Sequence, residues 1–113
     1  MAFVKFAETA RSYRPKVSIR ANGTLGFNSG AVAKFHLKDY KYALLYFDQE
    51  RRTVGVKPVK TEEEGAHAIN RGKTGAWIAA RRFLDYFSIG SNATKKFEAN
   101  WDEKENMIVF QVS

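Results

Sequence analysis

The side chains that most often perform catalysis are sparse in this chain and are not grouped. It contains two histidines, His36 and His67, and no cysteine. No serine stands at a spacing from which either histidine would activate it as a nucleophile. Asp48 and Asp102 occupy corresponding polar turns, which the geometry of a hairpin explains without chemistry. The sequence therefore predicts a protein that is not an enzyme.

Motifs for metal ions and cofactors are also weak. Glu64 and His67 would have the spacing of two metal ligands on a helix, but Gly65 disfavours a helix there and no further histidine or cysteine lies nearby. The glycine-rich turn over residues 70–75 is not a nucleotide-hydrolase phosphate loop, because it does not end a longer glycine run. We expect neither a metal nor a cofactor.

Positive charge is abundant and unevenly distributed. The formal net charge is +7. Residues 1–60 hold twelve Lys or Arg against four acids, a balance of +8, whereas residues 61–113 hold seven against eight, a balance of −1. Basic chains attract polyanions, since neutralised phosphates release counterions. A nucleic acid is therefore the predicted partner, and a basic solvated surface is the alternative.

One hydrophobic pattern occurs twice. Aligned glycine to glycine, residues 23–37 return as residues 75–89, with Leu25 on Trp77 and Phe27 on Ala79. After a shift of two residues the match continues, from residues 46–56 to residues 100–110. Internal similarity of this kind predicts a duplicated unit.

Each predicted unit is a hairpin, a short helix and a second hairpin. Asn-Gly between alternating apolar residues signals the first hairpin, and Asn28 and Ser29 are suited to cap the helix. The predicted segments are an N-terminal arm or short helix at 1–15, a first ββαββ unit at 16–60, a linker at 61–65 and a second ββαββ unit at 66–113. The predicted fold class is α+β, mostly β, with the two repeats forming a small pseudo-dimeric barrel or sheet in one domain.

The N-terminal segment has two interpretations. Phe3, Phe6 and Ala10 stand at helical spacing, which favours a short amphipathic helix. Pro15, flanked by Arg14 and Lys16, ends any such helix. The segment is otherwise a basic arm that grips a phosphate backbone, or a disordered terminus.

The strand over residues 41–48 is apolar on both faces. Tyr42, Leu44 and Tyr46 point one way, and Ala43, Leu45 and Phe47 the other. The Tyr42/Leu44/Tyr46 face is buried by the N-terminal segment or the other half, forms a homodimer surface, or exposes its rings to unstacked bases.

The order of elements resembles the AbrB-like swapped-hairpin family of transcription regulators, in the tandem arrangement of its MraZ-like members. The segments that carry the resemblance are Ser18–Phe27, the helix that ends at Phe35-His36-Leu37, Tyr42–Asp48 and Thr53–Pro58. The family usually opens the helix with a proline, whereas this chain has Asn28-Ser29 and Ala79-Ala80.

The resemblance implies a pseudo-dimer in which hairpins of both copies build one mixed barrel. It also implies a small duplex-DNA-binding transcription regulator or accessory factor whose first hairpin and helix contact DNA. The residues carried over are Arg20, Asn22, Arg71, Lys73, Arg81 and Arg82, and Lys34 joins them on charge alone.

Two alternatives use the same elements. From Lys41 to Ile89 the order of four strands and a helix is similar to the Whirly-like coactivators, which implies binding of single-stranded nucleic acid through Tyr42 and Tyr46. A protein-interaction module, such as a phage or mobile-element inhibitor, would use the Tyr42/Leu44/Tyr46 face. No apolar run is long enough for a membrane helix, so we expect a cytoplasmic protein with no membrane partner.

Overall fold

The computed structural model describes residues 14–73, 75–89 and 93–112, and more of these lie in short strands than in helices. The strands are β1 Lys16–Ile19, β2 Thr24–Phe27, β3 Tyr42–Asp48, β4 Thr53–Val59, β5 His67–Ala68, β6 Asn70–Arg71, β7 Ala76–Ala79, β8 Lys95–Glu98, β9 Asn100–Asp102 and β10 Met107–Gln111. The helices are α1 Ser29–Lys34, a 3₁₀ turn Leu37–Asp39, and α2 Arg81–Tyr86. The arm or helix predicted at 1–15 lies outside the described residues as far as residue 13.

The first hairpin forms where the Asn-Gly signal predicted it. The amide of Gly23 donates to the carbonyl of Arg20, and the amide of Arg20 donates to the carbonyl of Thr24, both at 2.9 Å. Gly23 has φ +87°, a conformation that a residue with a Cβ rarely adopts. The turn is therefore a tight connection with glycine at the position that requires a positive φ.

The two helices start differently, as the sequence predicted. Asn28 Oδ1 accepts a hydrogen bond from the amide of Ala31 at 2.8 Å, and it also accepts one from the amide of Lys16 at 3.1 Å. One side chain thus caps α1 and holds it against β1. Ala80, at the start of α2, offers no side-chain cap.

The strands form a small α+β domain, mostly β, with two antiparallel sheets. The order in the first sheet is β6-β7-β2-β1-β8, and in the second it is β5-β3-β4-β10-β9. Strands β5 and β6 are separated only by Ile69, and strands β8 and β9 only by Ala99. Each bent segment therefore ends one sheet and begins the other, so the pairing among the described strands runs in a closed ring.

The core lies between the two sheets. Both bends are buried, and their amides donate across the corner, that of Ile69 to the carbonyl of Lys41 and that of Ala99 to the carbonyl of Pro15. Seven large side chains have almost no exposed surface: Val17, Leu25, Leu37, Val54, Val56, Ile78 and Ile108. Because these side chains come from both sheets, the layers stabilise each other.

The glycine-to-glycine alignment is wrong about which side of the sheet the strand residues face. Leu25 and Phe27 are buried, whereas Trp77 and Ala79, which the alignment placed on them, are exposed. Where β2 and β7 pair, Leu25 lies opposite Ile78, which also faces inward, and Gly26 lies opposite Trp77, which faces outward. A shift of one residue moves a side chain to the other face of a strand, and the pattern of hydrophobic residues did not reveal this shift.

Neither described helix is built to cross a membrane. Each α-helix has six residues, which corresponds to about 9 Å of length. None of the helices in the described ranges combines the length and apolarity of a membrane span.

The close approach of β7 to β2 predicts a strong effect of one added methyl group. A Cβ on Gly75 would lie too close to the carbonyl oxygen of Phe27, a main-chain atom that cannot turn aside. Gly75→Ala is expected to lower the free energy of unfolding by about 1–3 kcal/mol. Urea unfolding measures it, and Gly26→Ala is the control, since its Cβ would meet only the end of the Arg20 side chain. Equal midpoints for both variants would contradict this packing.

Candidate nucleic-acid interface

One row of side chains crosses the outer face of the first sheet. The register pairs Asn70 with Trp77, Trp77 with Gly26, Gly26 with Ser18, and Ser18 with Lys96. Paired residues point to the same side, so the row runs from an indole through two small residues to an ammonium group. The small residues leave space above the middle of this face, and the Arg20 side chain lies in part of it.

A groove occupies this open face, and we call it the sheet groove. Its volume is about 580 Å³, and the cations Lys16, Arg20 and Lys96 line it together with Ser18 and Trp77. Of the described residues that line it, none is acidic. The sheet groove therefore combines positive charge with an aromatic ring.

Arg20 lies across the floor of the sheet groove. A Cβ built on Gly26 would be 2.6 Å from Arg20 Nη2 and 2.9 Å from Arg20 Cζ. The guanidinium thus covers Gly26, one strand away from Trp77. A planar cation held at this point offers several N–H donors to a phosphate.

The acid nearest to the groove in the register already has a cationic neighbour. Glu98 pairs with Lys16 across β1 and β8, and its Oε1 accepts a hydrogen bond from Arg14 Nη1 at 2.9 Å. Both side chains are well exposed, so the ion pair adds little to stability. The ion pair matters for the groove because it offsets the charge of Glu98, the only carboxylate that the structure describes on this part of the sheet edge.

The ring of Trp77 is held but not covered. Trp77 is 37% exposed, and Gly72 lies under its edge, because a Cβ on Gly72 would be 3.3 Å from Trp77 Cζ3. Within the described part of the chain, its ring stacks on no other aromatic ring. Trp101 differs, since its ring stacks on Phe35 with centroids 6.1 Å apart.

Four predicted contact residues lie at the junction of the first hairpin with α2. The amide of Ala80 donates to the carbonyl of Gly23 at 2.9 Å, and a Cβ on Gly23 would be 2.7 Å from Arg81 Cβ. This contact brings the end of the first hairpin, which carries Arg20 and Asn22, close in space to the start of α2, which carries Arg81 and Arg82. Asn22 Oδ1 accepts a hydrogen bond from the amide of Thr24, so that side chain stabilises the turn.

The three other predicted cations lie elsewhere. Lys73 and Arg71 line a neighbouring groove of about 490 Å³ that shares Gly72 and Gly75 with the sheet groove. Lys34 lines a separate groove of about 360 Å³ with Phe35, Tyr40 and Trp101. Only Arg20 among the seven predicted residues lines the sheet groove itself.

Arg71 makes hydrogen bonds within the protein. Its Nη2 donates to the carbonyl oxygens of Lys38 and Tyr40, at 2.6 and 2.9 Å. Tyr40 follows directly after the 3₁₀ turn, and Lys38 lies within it. The guanidinium therefore fixes this turn against β6, a role that charge counting did not indicate.

The Tyr42/Leu44/Tyr46 face lies on the outer side of the second sheet. Tyr46 is 45% exposed and pairs with Gly55, while Tyr42 and Leu44 are half-buried. Ala43, Leu45 and Phe47, on the other side, contribute to the core. The homodimer surface and the base-binding platform stay predictions for this face.

Sequence reasoning missed Lys16, Lys96 and Trp77 as groove residues. A signal for Lys16 existed, because Lys16, Ser18 and Arg20 alternate with the buried Val17 and Ile19 and so had to share the outer face. Nothing local predicts Lys96, since β8 comes from the distant second half of the chain.

Comparison with profiles of known protein families, with characterised protein sequences and with solved structures gave no match.

Removing the Arg71 side chain is expected to affect stability. Arg71→Ala leaves two carbonyl oxygens without their charged donor, and each hydrogen bond to a charged group contributes about 1.5–3 kcal/mol before screening by solvent is considered. Because Arg71 is exposed, we expect the free energy of unfolding to fall by about 1 kcal/mol. Lys73→Ala, at an exposed residue of the same turn, should leave the urea midpoint unchanged. If the two variants unfold alike, the structural role of Arg71 is wrong.

Proposed function

We propose that this protein binds nucleic acid through the outer face of its first sheet. The observation that carries the proposal is the sheet groove, which Lys16, Arg20 and Lys96 line together with the partly exposed ring of Trp77. Phosphates favour such a surface because counterion release drives their binding. The formal charge of +7 adds long-range attraction for a polyanion.

Duplex DNA is the partner that the AbrB-like resemblance implies, in the role of a small transcription regulator or accessory factor. Its contacts would come from the hairpin–helix junction of Arg20, Asn22, Arg81 and Arg82. Arg81 and Arg82 are exposed, and Arg81 has only a weak ion pair with Asp85 at 3.9 Å, so both are free to meet phosphates. The junction and the sheet groove share Arg20 but otherwise use different residues.

The two-unit architecture belongs to the same proposal. In its support, the two helices have equal length and begin 52 residues apart. His36 follows the first helix and Ser88 follows the second; these two residues are also 52 apart, and both have a positive φ. Asp48 and Asp102, which are 54 apart, each accept hydrogen bonds from the amides two and three residues later. Gly55 pairs with Val109 at that same spacing, as an approximate two-fold axis requires.

The test compares two triple variants of equal charge. Lys16, Arg20 and Lys96 are changed to Gln in the groove variant, and the exposed Lys41, Lys60 and Lys104, which do not line the groove, are changed to Gln in the control. Both variants carry a formal charge of +4, that is, +7 less three. Fluorescence anisotropy with labelled oligothymidine and with a labelled duplex measures affinity across a salt series.

The groove variant should bind at least about tenfold more weakly than the control, because it has lost phosphate contacts and not charge alone. Its plot of log affinity against log salt should also be shallower by about two units on single strands. If both variants weaken binding equally, binding is unspecific attraction to the net charge. If the parent protein binds neither probe at low salt, the proposed function is wrong.

A further inference from the structure

We propose that the sheet groove holds an unstacked nucleotide of a single strand, with its base on Trp77 and its phosphates on Arg20 and Lys96. This inference rests on the proposed function and assigns its strandedness. The partner is single-stranded DNA or RNA in preference to a duplex, and the site differs from the Tyr42/Leu44/Tyr46 face that the sequence suggested for bases.

The spacing across the sheet fits a nucleotide chain. Neighbouring strands lie about 4.8 Å apart, so the backbone of Gly26, under the Arg20 guanidinium, is about 5 Å from that of Trp77. Lys96 lies two strands further on, about 14 Å from Trp77 in total. A strand that crosses the sheet from Trp77 to Lys96 would meet an aromatic surface first, then a planar cation, then a second cation.

The middle of the path is formed by small residues, with the Arg20 guanidinium over one of them, Gly26. Gly26 and Ser18 are the residues between Trp77 and Lys96 in the row, and neither carries a side chain that rises far above the sheet. Lys16, in the next outward position of β1, adds charge along the side of the path. A nucleotide chain that follows the path would therefore meet the guanidinium of Arg20 directly after the ring of Trp77.

The state of the Trp77 ring favours an unstacked base. Its partly exposed surface has no stacking partner among the residues that the structure describes, whereas Trp101 already stacks on Phe35. In a duplex the faces of the bases are covered by their neighbours, so an indole on a sheet surface cannot reach them. A single strand can turn one base onto the ring at little cost, and such stacking does not depend on sequence.

The chain contains two tryptophans, so fluorescence can follow each ring separately. In Trp101→Phe the only indole is Trp77, and in Trp77→Phe it is Trp101. Oligothymidine of about 16 nucleotides, a duplex of the same length, and free thymidine monophosphate are titrated into both variants and into the parent protein. Affinities of Trp77→Ala come from anisotropy, and urea unfolding checks the fold; Trp77→Leu, which keeps an apolar side chain, replaces it if the alanine variant is unstable.

Oligothymidine is expected to quench the fluorescence emission of Trp77 and to leave the emission of Trp101 unchanged. The affinity of the parent protein for the single strand is expected to exceed its affinity for the duplex by about tenfold or more. Trp77→Ala should weaken single-strand binding by about tenfold or more, in line with one lost stacking contact, and change duplex binding far less.

Three results would overturn the inference without touching the proposed function. These are duplex binding at least as tight as single-strand binding, unchanged Trp77 emission on saturation with oligothymidine, and saturation by the free mononucleotide as tight as by the oligomer. The last result would assign the groove to a small nucleotide. The proposed function itself fails only if no nucleic acid binds at low salt, or if the groove and control triple variants are indistinguishable.

Discussion

The fold depends on two chain segments that each pair into both sheets. At Ile69 and at Ala99 the backbone turns a corner within one residue, and the strands on either side hydrogen-bond to different sheets. Exposed strand edges favour aggregation, and a ring of pairing removes them. The two corners also bring residues from opposite ends of the chain together, since β8 pairs with β1 and β10 pairs with β4.

This closure determines what the two outer faces present. Val17, Leu25 and Ile78 fill the interior from the first sheet, so their neighbours Ser18, Gly26 and Trp77 must face outward. The same alternation in the second sheet leaves Tyr46, with Gly55 and Met107 beside it, on the opposite surface. One side of the domain is therefore cationic, and the other places Tyr46 and Met107 among polar and charged residues. Lys96 reaches the cationic side only because β8 closes the ring against β1.

Local signals allowed much of the secondary structure to be predicted. The second hairpin of the first predicted unit forms as β3 and β4, and the Asn28 cap forms as predicted, because each depends on residues close in the chain. In the second predicted unit, the first strand of the second hairpin instead divides at Ala99 into β8 and β9, which belong to different sheets. That corner is set by the partners of each half, β1 and β10, and no local pattern encodes which strands those are.

The candidate site was less accessible to sequence reasoning. Arg20 was predicted and lines the groove, but Arg71 bonds to two carbonyls of its own chain and Lys34 lies beside another groove. The glycine alignment placed Trp77 on Leu25, which is buried, whereas a shift of one residue in β7 puts the Trp77 ring outside. Charge and composition indicate a class of partner, whereas the position of a site depends on register and long-range pairing.

The central claim is that nucleic acid lies on the outer face of the first sheet. Amide and indole N–H chemical shifts of isotope-labelled protein, followed during titration with oligothymidine, test this most directly because they report on every part of the surface at once. The account predicts that the largest changes occur at Ser18, Gly26, Lys96 and the Trp77 indole, with little change in β3 and β4. Changes confined to the hairpin–helix junction around Arg81, or to the face of Tyr46, would contradict it.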